Sequence, residues 1–213
     1  MPAKPVANIY VDGYNLYYGS LKGTAFKWLN LRTLSELLLP EYAVGKISYF
    51  TARVKARPDD LGAPSRQQAY LSALEAIPPI EIHYGQFFQS TVRMAQANPN
   101  AKPRTVEVIK SEEKGSDVNL ASHLLLDAFK KQADLYVVVS NDSDLMEPLR
   151  MVREDLGQKT GVINPHQKAS RALMMCKPTV VRQVRAGALG ASQFPDPLIL
   201  PNGRTIRKPA DWA

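Results

Sequence analysis

Four aspartates stand at the points where the sequence predicts that strands end and helices begin. Asp12 follows a short apolar segment, and Asp117 opens an amphipathic one. Asp142 and Asp144 come just after a run of three valines. Carboxylates held close together repel one another, and their burial is costly unless a cation neutralises them. Because Mg²⁺ prefers oxygen ligands, these residues predict a divalent metal site.

Segments with the hydrophobic periods of strands and helices alternate along the chain of 213 residues. The predicted strands cover residues 7–11, 46–52, 80–84, 105–110, 135–139, 160–163 and 179–184. The predicted helices cover residues 31–39, 64–77, 117–131, 145–156 and 170–175. In helix 117–131 we expect one stripe to face the core, formed by Val118, Ala121, Leu124, Leu125, Ala128 and Phe129.

This alternation is typical of the α/β class, in which helices cover both faces of a parallel sheet. Ligands bind in such folds beyond the carboxyl ends of the strands. If strands 7–11 and 135–139 are neighbours, the four aspartates therefore converge on one edge of the sheet.

Two of the aspartates also have ordinary structural interpretations at helix starts. A negative charge at Asp117, in the first turn of a helix, interacts favourably with the helix dipole. Ser116 is then the predicted cap. Asp144, with Glu147 three residues later, matches a capping box. These interpretations leave Asp142 without a structural role, so the metal prediction rests on it first.

The segment after the first strand allows similar alternatives. Asp12 precedes Gly13, and an Asp-Gly pair is common in turns. Asn15 is predicted to be the N-cap of the next helix. It is also placed to orient Asp12 or to hold a phosphate or a water molecule.

The charge balance points to a polyanionic partner. The net charge is +7 and the sequence pI is about 9.5. Aromatic side chains combined with cations are typical of surfaces that bind single-stranded nucleic acid. Candidates near the same edge are Tyr14, Arg53, Lys55 and Lys114. Each of them is also explained individually by helix packing or by surface solvation.

We predict one domain over residues 1–186, followed by an extension over residues 187–213. Residues 86–104 interrupt the domain as either a β-hairpin or a long loop. The extension is rich in proline and glycine but contains several large apolar side chains. We therefore expect it to pack on the domain or on a partner, which allows for a homo-oligomer.

Other classes of chemistry and other locations are disfavoured. Cys176 is the single cysteine, so no intramolecular disulfide or cysteine-based zinc site is possible. No glycine-rich phosphate loop follows a strand, and there is no nucleophile elbow. The first residues lack the apolar core of a signal peptide, and no apolar run approaches the roughly 18 residues of a membrane span. We therefore expect a cytoplasmic protein that does not bind membranes.

Three segments together resemble the NYN domain family, a branch of the PIN-like nuclease superfamily. They cover residues 10–16, 113–127 and 139–145, in the order found in the family. The frame of strands and helices over residues 7–184 is also similar. The resemblance implies a three-layer α/β/α fold, Rossmann-like and PIN-like, with a central mainly parallel sheet. It further implies a ribonuclease that depends on Mg²⁺ or Mn²⁺ and cuts RNA, which we expect to be single-stranded.

The resemblance can be carried over residue by residue. The residues that match the acidic metal ligands of the family are Asp12, Asp117, Asp142 and Asp144. Asn15 matches a family asparagine and joins them as a catalytic candidate. Ser140 matches a small polar residue, whereas Asn141 stands where a glycine is common, and we expect both to contact the substrate. The alternatives are a non-catalytic RNA- or protein-binding module that retains the acidic pocket, and a metal-dependent phosphatase.

Overall fold

The computed structural model describes residues 3–56, 58–200 and 202–212. Its strands are β1 (Val6–Asp12), β2 (Ala43–Thr51), β3 (Ile80–Tyr84), β4 (Gln86–Ala95), β5 (Thr105–Lys114), β6 (Leu135–Val139), β7 (Thr160–Asn164), β8 (Val180–Gln183), β9 (Leu198–Ile199) and β10 (Thr205–Ile206). Six of them form a central sheet in the order β3-β2-β1-β6-β7-β8, and all neighbours in it are parallel.

Helices cover both faces of this sheet. They are α1 (Gly13–Leu16), α2 (Leu31–Leu38), α3 (Ala63–Glu75), α4 (Ser116–Phe129), α5 (Met146–Arg150), α6 (Arg171–Met175) and α7 (Ala186–Ala191). One apolar cluster joins α1, α2, α3 and α7 to the sheet, and a second joins α4, α5 and α6 to its opposite face. The central strands are buried on both sides, which explains why β6 is an unbroken apolar run. The predicted three-layer α/β/α architecture is therefore confirmed.

The order of strands decides where the aspartates meet. β1 lies between β2 and β6, and Val11 is in register with Val139. The predicted neighbourhood of these two strands is thus confirmed. Because β1 and β6 are parallel, the residues that follow them emerge side by side at the carboxyl edge of the sheet.

Residues 86–114 form a β-hairpin that is longer than the sequence pattern predicts. β4 and β5 pair antiparallel along their whole length, from Gln86 opposite Lys114 to Ala95 opposite Thr105. The second strand therefore extends beyond the predicted residues 105–110. The two strands contact each other far more than they contact the rest of the domain. The hairpin therefore projects from the domain.

Helix α4 buries Leu124 and Ala128 of the predicted stripe but is rotated so that other members face solvent. Leu120 and Leu124 are fully buried, whereas Val118 is 69% exposed and Phe129 is 71% exposed. The expectation that Val118 and Phe129 face the core was therefore wrong.

The reason is a charged residue on the buried face of α4. The carboxylate of Asp127 accepts a hydrogen bond from the Tyr10 hydroxyl (2.7 Å) and forms an ion pair with Lys46 (2.6 Å). A buried carboxylate is tolerated when it is paired and hydrogen-bonded in this way. A hydrophobic periodicity alone assigns an aspartate to the solvent, so it predicts the wrong rotation of the helix.

The predicted helix over residues 145–156 is divided into three turns of different kinds. Ser143–Leu145 is a 3₁₀ turn, Met146–Arg150 is α5, and Met151–Asp155 is a π-helical turn. Pro148 has no N–H to donate and is tolerated because it falls in the first turn of α5. In the described part of the chain, no helix is both long and apolar enough to cross a membrane.

Part of the segment after residue 186 packs on its own domain. Phe194 is buried, and its ring lies 5.5 Å from that of Trp28. The Trp212 ring is 6.4 Å from Trp28 and 6.1 Å from Tyr70 on α3. The Trp28 indole Nε1 donates to the Pro195 carbonyl (3.2 Å), which fastens this segment to the domain. A homo-oligomer or a partner bound through it stays a prediction.

The aromatic cluster gives a test of stability. We expect Trp28→Ala to lower the free energy of unfolding by about 3–5 kcal/mol, because a fully buried indole is replaced by a cavity. Denaturant unfolding followed by circular dichroism measures the change. Leu61→Ala is the control, since Leu61 is 74% exposed and its loss should cost less than about 0.5 kcal/mol. Equal effects of the two substitutions would contradict this account of the packing.

Candidate metal centre

Three of the four aspartates converge at the carboxyl edge of the sheet. Asp12, Asp117 and Asp142 each offer a carboxylate oxygen, and these oxygens lie within 4.8 Å of one another. Asp12 is the last residue of β1, Asp117 lies in the first turn of α4, and Asp142 follows β6. The fold thus brings Asp12 together with two residues that lie more than a hundred positions further along the chain.

Asp12 is the buried member of the group. Its Oδ1 accepts from the Asn15 backbone N–H (2.9 Å), and its Oδ2 accepts from the Ser140 hydroxyl (3.0 Å). Desolvation by burial raises the pKa of Asp12, although these two hydrogen bonds oppose the shift. A cation would compensate for the burial of this carboxylate.

The turn after β6 fixes Asp142 in a way that the sequence did not predict. The Asp142 carboxylate accepts from the Asp144 backbone N–H (3.0 Å) and thereby caps the 3₁₀ turn that begins at Ser143. The predicted capping box, with Asp144 as the cap, is therefore wrong. Asp144 is exposed and lies outside the group of three carboxylates. Its role as a ligand stays a prediction.

Asn15 and Asn141 connect the segments that follow β1 and β6. Asn15 does not cap α1, because Asp12 occupies that position. Instead, its Oδ1 accepts from the Asn141 backbone N–H (2.8 Å). The Asn141 side chain binds the Lys168 carbonyl (3.0 Å) and the Ser170 N–H (2.6 Å). Asn141 thus holds a neighbouring loop in place, and substrate contact by it stays a prediction.

The start of α4 depends on Glu113, the penultimate residue of β5. Both carboxylate oxygens of Glu113 accept hydrogen bonds from Ser116, one from its N–H (3.1 Å) and one from its hydroxyl (2.6 Å). Gly115, with φ of 98°, is the N-cap residue, so the prediction of Ser116 as the cap is wrong. The signal in the sequence that could have predicted this contact was a glutamate three residues before the serine that opens the helix.

A glycine at the base of the hairpin makes this arrangement possible. A Cβ atom on Gly85 would lie 2.2 Å from the Glu113 carboxylate and 2.8 Å from the Lys114 carbonyl. Only glycine therefore allows the chain leaving β3 to approach the segment that positions Asp117.

Asp117 has the clearest electrostatic signature in the site. Desolvation, together with the nearby charges of Asp12, Asp142 and Glu113, raises the pKa of Asp117 from an ordinary value of 3.8 to about 6. Carboxylates that share a site suppress one another's ionisation unless a cation is present.

The donor set fits a hard divalent cation. All three groups offer carboxylate oxygens, which Mg²⁺ and Mn²⁺ accept, and no histidine or cysteine joins this cluster among the described residues. Asp12, Asp117 and Asp142 would hold the ion, while Ser140 orients one of them from outside.

The other predicted substrate-binding residues lie around this edge of the sheet. The Tyr14 hydroxyl donates to the Ala52 carbonyl (2.8 Å) just beyond β2. Arg53 lies over the Tyr84 ring, and Lys114 lies over the Phe88 ring. Lys55 is exposed. Their contact with a substrate stays a prediction.

Fold and site together define a PIN-like, nuclease-type domain with an acidic cluster. The chain belongs to the NYN domain family, whose sequence profile matches residues 6–182. The resemblance of the three segments is thus confirmed over the whole domain.

Two similar proteins add information of different kinds. The chain is 32% identical to 6-hydroxy-3-succinoylpyridine 3-monooxygenase HspA of Pseudomonas putida, over 96% of this chain and 74% of that protein. A crystal structure of a protein of unknown function from Vibrio parahaemolyticus has a TM-score of 0.57 and 16% identity. That match covers 87% of this chain and 96% of the other, and it supports the fold alone.

The hydroxyl that bridges two of the acids provides a test of the site. We expect Ser140→Ala to weaken Mn²⁺ binding by about 10–100-fold, because Asp12 and the turn before Asp142 lose a shared partner. Calorimetric titration measures the affinity. Ser143→Ala is the matched control, since Ser143 is exposed in the next turn. Unchanged affinity of Ser140→Ala would refute its positioning role.

The pKa of Asp117 predicts a pH-dependent stability in the presence of a chelator. Between 3.8 and about 6 the folded protein binds more protons at this carboxyl than the unfolded chain does. The free energy of unfolding should therefore fall as pH rises through this window and should stay lower above it. Asp117→Asn should raise the stability more at pH values above the window than at its lower end. Urea unfolding at a pH above the window and at its lower end measures this gain in the free energy of unfolding. An equal gain at both pH values would contradict the raised pKa of Asp117.

Proposed function

We propose that this protein is a metal-dependent ribonuclease that hydrolyses phosphodiester bonds of single-stranded RNA. The observation that carries the proposal is the convergence of Asp12, Asp117 and Asp142 within 4.8 Å in a chain of the NYN family. A fold by itself does not define a function, so the carboxylate site bears the weight of the argument.

The residues divide into binding and positioning roles. Asp12, Asp117 and Asp142 would hold the cation, and Ser140 and Asn15 keep two of these segments in place through hydrogen bonds. A divalent cation held by these three carboxylates would supply Lewis-acid chemistry at a phosphodiester. Asp144 is adjacent and exposed, and we propose it as a further ligand or as a group that orients water.

The surroundings suit a polyanionic substrate. Cationic side chains at the same edge can neutralise phosphates that the carboxylates themselves would repel, and the chain as a whole carries a net charge of +7. This combination of an acidic centre and basic surroundings favours a nucleic acid over a small neutral substrate.

A substitution at Asp142 tests the reaction. We expect Asp142→Asn to reduce Mn²⁺-dependent cleavage of labelled single-stranded RNA by about 100-fold or more, because a lost ligand removes several kcal/mol of transition-state stabilisation. Gel analysis of the products measures the rate, and circular dichroism verifies the fold. Asp59→Asn is the control, since Asp59 is an exposed aspartate outside the site.

The same assay separates the alternatives. A non-catalytic module would bind RNA without turnover in Mn²⁺, and a phosphatase would consume nitrophenyl phosphate while leaving RNA intact. Cleavage by the wild-type protein that persists in chelator, or that Asp142→Asn leaves unchanged, would refute the proposed site.

A second candidate function is the monooxygenation of a hydroxylated pyridine. The observation that favours it is the extent of the likeness to the Pseudomonas putida monooxygenase. That likeness covers 96% of this chain and therefore extends beyond residues 6–182 into the C-terminal segment. Against it stands the donor set, since non-haem iron oxygenases commonly hold iron through two histidines and one carboxylate.

Product analysis distinguishes the two functions. A monooxygenase places one oxygen atom of O₂ in the product and reduces the other to water with two electrons from a donor. The protein would be incubated with 6-hydroxy-3-succinoylpyridine, O₂ and a reduced nicotinamide or flavin, and in parallel with RNA and Mn²⁺. The O₂ in the first reaction carries an isotopic label. Label in the pyridine product, with no RNA cleavage in the second reaction, would show that the protein is a monooxygenase and not a ribonuclease.

A further inference from the structure

Two exposed aromatic rings, each with a cation over its face, lie at the base of the hairpin. Tyr84, the last residue of β3, is 36% exposed, and the Arg53 guanidinium lies 4.7 Å from its ring centroid. Phe88 in β4 is 52% exposed, and the Lys114 ammonium lies 5.8 Å from its ring centroid. Single exposed apolar residues need no explanation, but two aromatic–cation pairs, whose rings lie within five residues of the chain at one end of the hairpin, form a pattern.

The alternation of the strand separates this surface from the packed side of the hairpin. Phe87 packs edge-on against Tyr14, with ring centroids 5.8 Å apart. Successive side chains of a strand point to opposite faces, so Phe88 lies on the other face of the ribbon. Lys114 pairs with Gln86 across the two strands and therefore shares the face of Phe88.

The two cations are available for an anionic ligand. Among the described residues, no ion pair with a carboxylate includes Arg53 or Lys114. Each cation instead lies against an aromatic ring. Arg53 also donates to the Gln68 side-chain carbonyl and to the Tyr84 hydroxyl (3.4 Å), both neutral partners that a phosphate can outcompete.

The surface is fixed next to the acidic centre. The Gly85 N–H donates to the Thr51 carbonyl (2.7 Å), which ties the hairpin base to the carboxyl end of β2. Glu113 ties the other strand to Ser116 at the start of α4, one residue before Asp117. A substrate that reaches Asp117 therefore passes close to the base of the hairpin.

We propose that the hairpin base is a binding platform for single-stranded nucleic acid, an inference that rests on the proposed nuclease function. Unpaired bases stack on Phe88 and Tyr84, and Lys114 and Arg53 contact the adjoining phosphates. The two rings are four positions apart in the chain, so their Cα atoms lie at most about 13 Å apart. A duplex keeps its base faces stacked internally and cannot use such a platform.

Binding measured without metal tests the platform separately from cleavage. Fluorescence anisotropy in chelator would compare a labelled single-stranded RNA, a DNA of the same sequence and a blunt RNA duplex. We expect the double variant Tyr84→Ala, Phe88→Ala to bind single strands about tenfold or more weakly, because each stacked base loses its platform. Duplex affinity should be unchanged. Ile199→Ala is the control, since Ile199 on β9 is an apolar residue that is more exposed than either ring.

Two further variants separate stacking from charge. Tyr84→Phe and Phe88→Tyr keep the aromatic faces and should retain the affinity of the wild type. Lys114→Gln should lower the slope of log affinity against log salt by about 0.7, as expected for one lost phosphate contact with a single strand. Phe88→Ala should leave that slope unchanged.

Each outcome decides the proposal. Equal loss of single-strand and duplex affinity in the double variant, no loss at all, or no binding of single strands by the wild type would overturn the platform. A loss of affinity for single strands but not for the duplex supports the platform. Whether the loss is seen with RNA, with DNA or with both shows whether the platform distinguishes ribose from deoxyribose. If the platform binds RNA but Mn²⁺ produces no cleavage, the proposed nuclease function fails while the platform stands.

Discussion

The hydrogen bond from the Ser140 hydroxyl to Asp12 joins the ends of the two central strands, and the candidate site depends on it. The same hydroxyl oxygen accepts from the Asp142 N–H (3.1 Å), so one side chain relates two carboxylates. This geometry exists only because β1 and β6 are adjacent, parallel and in register. The two helical layers serve the site by burying both faces of those strands, which keeps their ends rigid.

The third carboxylate is positioned by a different device. Asp117 depends on the start of α4, which Glu113 anchors from the end of the hairpin. The other end of α4 is fixed by Asp127, bound by Tyr10 and Lys46 inside the core. A polar residue at each end of the helix therefore sets its position, while hydrophobic contacts fill the space between.

The comparisons place the chain in a family without deciding its chemistry. A shared profile and a shared fold account for the sheet order and the acidic cluster, yet a relative with 32% identity bears the name of a monooxygenase. Function is decided by the site, and carboxylate oxygens suit hard cations such as Mg²⁺ and Mn²⁺. The hairpin adds a surface with two aromatic–cation pairs, which is the basis of the proposed nucleic-acid platform.

The sequence by itself determined the fold class, the six strands of the central sheet and the placing of Asp12, Asp117 and Asp142 at strand ends and a helix start, because hydrophobic period and strand-end acids are local patterns. It misjudged the roles within those patterns: Asp142 and not Asp144 caps the turn, and Asp12 and not Asn15 caps α1. These caps are local hydrogen bonds, and the sequence offered more than one residue for each. Only the tertiary structure decided the rotation of α4 and the link between Asn15 and Asn141, since their hydrogen bonds join segments that are distant in the chain. Hydrophobic periodicity shows which face of its own helix or strand a side chain lies on. The residue that it contacts belongs to a different element, and only the packing of the two elements brings them together.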